Sequence, residues 1–154
     1  MKRVEQAIAH IAENINGKAV LEIACGCAEF SLAAAQTAKS VDGIDLDYLR
    51  LPPQAHKTED FAFTIMDATN MTCADGSFDT AVMYNAIGHL GAVLEKVLKE
   101  CLRVTKPGGA IFVISSFRMD MSAIDEKLLP LLAKKQIAFA EESDGTFCYI
   151  KIER

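Results

Sequence analysis

Two short stretches of the sequence place small and acidic residues where a nucleoside-containing ligand can bind. Cys25-Gly26-Cys27-Ala28 joins a short apolar run to an alanine-rich segment, and Asp45 ends the next apolar run, 19 residues after Gly26. Small side chains let a ligand approach the backbone, and the N–H groups of a following helix can meet an anionic group. A carboxylate at the end of the second strand can accept hydrogen bonds from ribose hydroxyls. The spacing predicts nucleoside binding, and the alternative for the turn alone is a tight turn beside a solvated acid.

Candidate catalytic side chains are few, and none is assigned a role from the sequence alone. His89 fits two roles: a general base acting on an acceptor, or a helix-start imidazole bonded to the backbone. Cys25 and Cys27 fit as small apolar fillers of the turn, because no neighbouring base is evident that would activate a thiol nucleophile. The five cysteines show no spacing typical of a disulfide framework or a metal site, so no metal is predicted.

The elements that must position these residues alternate between strand-like and helix-like patterns. Strands are predicted at 19–24, 40–45, 61–66, 78–84 and 110–115, and helices at 4–15, 30–38, 90–104 and 122–135. Pro52-Pro53 interrupts the helix that residues 46–57 would begin. The runs 137–142 and 146–153 flank Asp144-Gly145, a strong hairpin signal. The pattern predicts an α/β fold, Rossmann-like, with a seven-stranded mostly parallel sheet, a C-terminal antiparallel β-hairpin and helices on both faces.

Length and composition limit the possible classes of protein. At 154 residues the chain has room for one domain, predicted to span 1–154, and 51% hydrophobic residues are typical of a globular protein. The formal net charge of −5, with Lys and Arg scattered, argues against a nucleic-acid partner. The sequence contains no stretch of about 18 apolar residues, so no membrane span is predicted. Without a signal peptide or disulfide pattern, a cytoplasmic location is expected.

Five motifs occur along the chain in an order typical of one enzyme family. They are Leu21-Glu-Ile-Ala-Cys-Gly-Cys-Ala28, Val41-Asp-Gly-Ile-Asp45, Met66-Asp-Ala68, Phe78-Asp-Thr-Ala-Val82 and Leu98-Lys-Glu-Cys-Leu-Arg-Val-Thr-Lys-Pro-Gly-Gly109. Each motif is weak alone, but together they make the chain resemble the class I S-adenosylmethionine-dependent methyltransferases over nearly its whole length. The resemblance implies the fold predicted above and S-adenosylmethionine as the cofactor.

The resemblance also implies which residues bind this cofactor. They are Glu22, Ala24, Cys25, Gly26, Ala28, Asp45, Leu46, Asp67, Ala68, Tyr84 and Asn85. Asp45 would hold both ribose hydroxyls and Asp67 the adenine amino group, whereas Glu22 and Gly26 would face the methionine end. The family often has Gly where this chain has Ala24 and Ala28.

The expected function is transfer of a methyl group from S-adenosylmethionine to a small-molecule acceptor that the sequence does not identify. One alternative is a non-catalytic partner subunit that binds the same cofactor, because proteins of one fold diverge in function. A second alternative, a nicotinamide-dependent oxidoreductase, lacks the expected Gly-x-Gly-x-x-Gly, since Ala28 and Ser31 interrupt it. Apolar helix faces at the edge of a small domain are compatible with a homodimer.

Overall fold

The computed structural model describes residues 2–154, which form one seven-stranded sheet with helices on both faces. The strands are β1 (Ala19–Ile23), β2 (Ser40–Asp45), β3 (Phe61–Ile65), β4 (Phe78–Tyr84), β5 (Thr105–Ser115), β6 (Phe139–Ser143) and β7 (Cys148–Glu153). The α-helices are α1 (Arg3–His10), α2 (Glu29–Ala34), α3 (Ile87–Leu90), α4 (Leu94–Val104), α5 (Arg118–Ala123) and α6 (Leu129–Lys134). Single 3₁₀ turns occupy Ala12–Asn14, Pro53–Lys57 and Gly91–Val93, and a π-helical turn occupies Ile124–Leu128.

The order of the strands across the sheet is β3-β2-β1-β4-β5-β7-β6. The five strands from β3 to β5 run parallel, and β7 pairs antiparallel with both β5 and β6. This arrangement confirms the predicted fold class, including the C-terminal hairpin. The chain leaves β1 toward β2 and β3, then returns to β4 on the other side of β1, so the strand order reverses between β1 and β4.

Successive side chains along the strands belong alternately to two apolar layers, one on each face of the sheet. On one face Val20 and Phe112 pack with α1 and α2, and on the other Leu21 and Ile111 pack with α4 to α6. The period of two along each strand produces this division, because successive side chains point to opposite faces. Both layers are needed because a central parallel sheet is buried on both sides.

Two of the differences between the predicted and the observed element boundaries have a clear physical reason. Residues 106–109, which precede the predicted strand 110–115 and read as a turn, belong to β5, which begins at Thr105. There the Gly108 N–H donates to the Arg154 carbonyl at 2.8 Å, and the Arg154 N–H donates to the Gly109 carbonyl at 3.0 Å. Pairing with the far end of the chain therefore extends the strand through a sequence typical of a turn.

The helical region after β5 begins earlier than its pattern predicted. It starts at Arg118 and runs through the π-helical turn into α6, with Pro130 in the first turn of α6. Proline lacks an N–H and is tolerated in the first turn of a helix, where that donor has no intrahelical partner. Residues 118–121, which lie between the predicted strand 110–115 and the predicted helix 122–135, are helical in the structure.

Candidate cofactor site

A cleft of about 400 Å³ opens at the carboxyl ends of β1, β2 and β4. This is where the strand order reverses, and open parallel sheets bind ligands at such points. Six of the eleven predicted cofactor residues line the cleft: Ala24, Asp45, Leu46, Asp67, Ala68 and Asn85. Topology therefore brings side chains from four separate loops to one place.

The turn after β1 has an alternating backbone conformation. Ala24, Gly26 and Ala28 have φ angles of +54°, +54° and +57°, in the left-handed region that glycine favours. The two alanines therefore occupy the conformation that explains why the family often has glycine at these positions. Ala24 lines the cleft, whereas Ala28 is fully buried and its methyl group packs inside the protein.

The carboxylate of Asp45, at the end of β2, accepts two backbone hydrogen bonds and can still accept others from a ligand. Its Oδ2 accepts the N–H of Gly26 at 2.8 Å, and its Oδ1 accepts the N–H of Leu46 at 2.7 Å. These bonds fix the carboxylate beside the turn. A carboxylate has about four lone-pair positions, so two remain for a pair of neighbouring hydroxyls.

Asp67, after β3, forms the other acidic wall of the cleft. Its Oδ1 accepts the Thr69 N–H at 2.8 Å and the Thr69 hydroxyl at 2.7 Å. These bonds, the backbone one first, lower the pKa of Asp67, so the carboxylate is ionised at neutral pH. Its Oδ2 is available to accept a hydrogen bond, as contact with an adenine amino group would require.

Glu22, at the carboxyl-terminal half of β1, is buried behind the turn and does not line the cleft. Oε2 of its carboxyl group accepts the Ser31 N–H at 2.9 Å and is hydrogen-bonded to the Ser31 hydroxyl. Burial, partly offset by the bonds from Ser31, raises the pKa of Glu22 to about 8. Through this contact Glu22 ties β1 to the start of α2 and so holds the turn between them.

Three further predicted cofactor residues, Cys25, Gly26 and Tyr84, do not line the cleft. The Cys25 side chain is buried, and burial raises the pKa of its thiol, so a thiolate is disfavoured. Tyr84 packs its ring near Phe30 and Phe147, with centroids 5.4 Å and 5.7 Å away. Gly26 contributes its backbone N–H to Asp45 and presents no side chain to the space above it.

The loop after β4 supplies polar groups to the opposite side of the cleft. Asn85 has a φ of +48°, and its Oδ1 accepts the Ser116 N–H at 2.8 Å, which leaves its amide donors for a ligand. His89 lines the cleft, and its ring forms no hydrogen bond within residues 2–154. Asp120 is buried and accepts the Gly88 N–H at 2.8 Å, which fixes α3 against α5.

Arg50, to which no motif in the sequence gives a role, also lines the cleft. Arg50 lies between β2 and the 3₁₀ turn Pro53–Lys57, in a segment that the sequence predicted only as an interrupted helix. The Phe117 side chain, two residues after the end of β5, lines the cleft as well. Arg50 and Phe117 each follow the end of a strand, and this closeness is the sequence feature that could have indicated them. Whether such a residue reaches the cleft depends on the path of the chain beyond the strand.

Within the described residues, no group of three or more His, Cys, Asp or Glu side chains is arranged to hold a metal ion. All five cysteines are free of disulfide bonds. In the same part of the chain, no helix combines the length and the apolar character that crossing a bilayer requires.

Comparison with known families decides what kind of protein carries this cleft. A family model described as "Methyltransferase domain" matches residues 21–113, which run from β1 into β5. The chain belongs to the class I S-adenosylmethionine-dependent methyltransferase family. S-adenosylmethionine is the cofactor of that family. The matched region contains all eleven predicted cofactor residues, from Glu22 to Asn85.

This methyltransferase-family chain is similar to curated proteins of greater length. Over 101 residues it is 35% identical to the demethylmenaquinone methyltransferase of Paenarthrobacter aurescens, covering 66% of this chain and 39% of that protein. The chain thus spans about two fifths of the length of that relative.

Solved structures show the same fold at low sequence identity. A SAM-dependent methyltransferase from Aquifex aeolicus superposes with a TM-score of 0.80 at 14% identity, covering 96% of this chain and 88% of that one. A putative S-adenosyl-L-methionine-dependent methyltransferase from Methanococcus maripaludis gives a TM-score of 0.77 at 15% identity, covering 98% and 83%. At such identities the likeness concerns the fold alone.

Proposed function

We propose that this chain binds S-adenosylmethionine in the cleft and transfers its methyl group to a small apolar acceptor. The observation that carries the proposal is the position of Asp45, fixed against the Gly26 N–H at the point where the strand order reverses. Asp67 and Leu46 flank the neighbouring space, where an adenine ring would lie. Family membership favours methyl transfer over the nicotinamide-dependent alternative.

The residues present fit the cofactor in chemistry as well as in place. Asp45 keeps acceptor positions for two hydroxyls, and Asp67 keeps a free oxygen for an amino group. When bound, S-adenosylmethionine supplies a methyl group already activated by its positive sulfur. The work left to the protein is alignment of the acceptor with that group, an entropic contribution.

Two residues after β4 are placed to handle the acceptor. The amide N–H groups of Asn85 can donate to an acceptor oxygen, since its Oδ1 is already held by Ser116. The His89 ring, without a partner in the described part of the chain, can take the proton that an acceptor loses on methylation. Both groups lie on the side of the cleft opposite Asp45.

The mouth of the cleft supports an apolar acceptor. Leu46, Val93 and Phe117 line it with side chains that are 71%, 38% and 52% exposed. Large apolar side chains that remain exposed around a cleft are typical of a binding surface. The relative named above is called a demethylmenaquinone methyltransferase, and a quinone of that class is the acceptor that we propose for this chain.

The cofactor half of the proposal is tested by thermal unfolding with S-adenosylhomocysteine. At 100 times its Kd a ligand stabilises the native state by about 2.7 kcal/mol, which raises the Tm by about 5–10 °C for a chain of this size. We expect this shift in the wild type, none in Asp45→Ala, and a full shift in the control Asp125→Ala, whose side chain is exposed on the π-helical turn.

NAD serves as the competing ligand in the same experiment. A shift with NAD and none with S-adenosylhomocysteine would refute the proposal, and a full shift in Asp45→Ala would refute the placement of the ribose site. The acceptor half is tested by transfer of a labelled methyl group from S-adenosylmethionine to a demethylated quinone. Binding of the cofactor without transfer to any quinone would favour the non-catalytic partner subunit instead.

A further inference from the structure

The guanidinium of Arg50 lies directly against the turn at Gly26. A Cβ built on Gly26 would be 2.9 Å from Arg50 Nη1 and 3.2 Å from its Cζ. The cation therefore occupies the space that the missing side chain leaves open. Such a close approach to backbone is possible only because residue 26 is glycine.

Arg50 has no partner inside the protein that explains this position. Across residues 2–154 its side chain takes part in no hydrogen bond or salt bridge, and it is the one Lys or Arg among the residues lining the cleft. The two acids of the cleft, Asp45 and Asp67, are held by backbone N–H groups instead. An unpaired cation at a ligand site is free to pair with an anionic group of the ligand.

The two acids fix the direction in which the cofactor must lie, and so place its anionic end. Asp67 and Leu46 mark the adenine end and Asp45 the ribose, so the amino-acid end points along the turn toward Gly26. The carboxylate of that end is the anionic group of the cofactor. Arginine presents a planar fork of donors that matches a carboxylate in two parallel hydrogen bonds.

We propose that Arg50 binds the carboxylate at the amino-acid end of the cofactor, which makes it a further binding residue of the site. This inference rests on the proposed cofactor site. The guanidinium must move aside from Gly26 to flank the carboxylate, since a ligand that reaches the turn needs the same space. The long side chain allows this movement, and Arg50 is exposed, so it does not have to break contacts inside a packed core.

The test compares two ligands that differ in the group Arg50 would bind. S-adenosylhomocysteine carries the amino-acid end, whereas 5′-methylthioadenosine has the same adenosine and thioether without it. Calorimetric titration of Arg50→Gln is expected to show S-adenosylhomocysteine binding about tenfold weaker and 5′-methylthioadenosine binding unchanged, because one charge-assisted pair is lost. Arg50→Lys keeps the charge without the fork and should fall between the wild type and Arg50→Gln.

Lys57→Gln is the matched control, since Lys57 is an exposed cation of the same β2–β3 connection that does not line the cleft. It should leave both affinities unchanged. Tighter binding of both ligands to Arg50→Gln would overturn the proposal and show that Arg50 blocks the cleft. Equal weakening of both ligands, or no change in either, would overturn it as well. If the wild type bound neither ligand, the proposed cofactor site itself would fail.

Discussion

The buried carboxyl group of Glu22 predicts how the stability of the protein depends on pH. Burial raises its pKa to about 8 from an ordinary value of 4.5. Between these values the folded chain holds a proton that the unfolded chain releases, so the free energy of unfolding falls as the pH rises. Each pH unit costs about 1.4 kcal/mol in that window, which gives about 3–4 kcal/mol between pH 5 and pH 8.

Thermal unfolding of the ligand-free protein measures this effect. A loss of about 3–4 kcal/mol lowers the Tm by about 7–14 °C in a chain of this length. Glu22→Gln should remove the slope, because the amide stays neutral and its oxygen can still accept hydrogen bonds from Ser31. The variant should match the wild type near pH 5 and exceed it near pH 8.

A control separates the buried Glu22 from the exposed carboxyl groups of the chain. Glu59 is exposed, so Glu59→Gln should keep the slope of the wild type. The reasoning would be refuted if the wild-type Tm stayed constant from pH 5 to pH 8, or if Glu22→Gln lost stability in parallel with the wild type. Either result would mean that the carboxyl group is ionised in the folded protein at little cost.

Two further predictions concern the turn after β1. Ala24→Gly should raise the free energy of unfolding by about 0.5 kcal/mol in chemical denaturation, because relief of about 1–2 kcal/mol of left-handed strain exceeds the entropic cost of glycine. The control Ala33→Gly, inside α2, should instead lower the free energy of unfolding by about 1 kcal/mol. A loss of stability in both variants would contradict the proposed strain at Ala24. The native protein should show one fast-reacting thiol, the exposed Cys27, absent from Cys27→Ser, with Cys25 reacting only on unfolding. A rapid second thiol that disappears in Cys25→Ser would contradict the burial.

The order of strands and helices could be predicted because local pattern and long-range structure agree in most of the chain. The predicted strands 40–45 and 78–84 coincide with β2 and β4. Prediction failed at residues 106–109, where the Gly-Gly sequence is typical of a turn but pairing with Arg154 continues the strand. That pairing joins residues about 45 positions apart, which no local pattern records.

The site was predictable to the extent that it depends on strand ends. Asp45 could be placed because it ends β2, and the carboxyl ends of parallel strands meet at one edge of the sheet. Arg50 could not, because Pro52-Pro53 removes helical periodicity and the contact with Gly26 depends on how the segment folds back. The orientation of the Glu22 side chain could not be predicted either. It is held by hydrogen bonds from Ser31, nine residues away across the turn, and these depend on how the turn folds.

The two edges of the sheet differ in a way that bears on aggregation. β6 is exposed along its length and carries Glu141 and Glu142, and charges on an edge strand oppose pairing with another chain. β3, at the other edge, reads Phe-Ala-Phe-Thr-Ile, without charge, proline or glycine, and its Ile65 is 58% exposed. Such a segment is prone to intermolecular β-pairing when a protein loosens. Edge-to-edge association under destabilising conditions should therefore begin at β3, where protection depends on the acids that flank it, Glu59-Asp60 and Asp67.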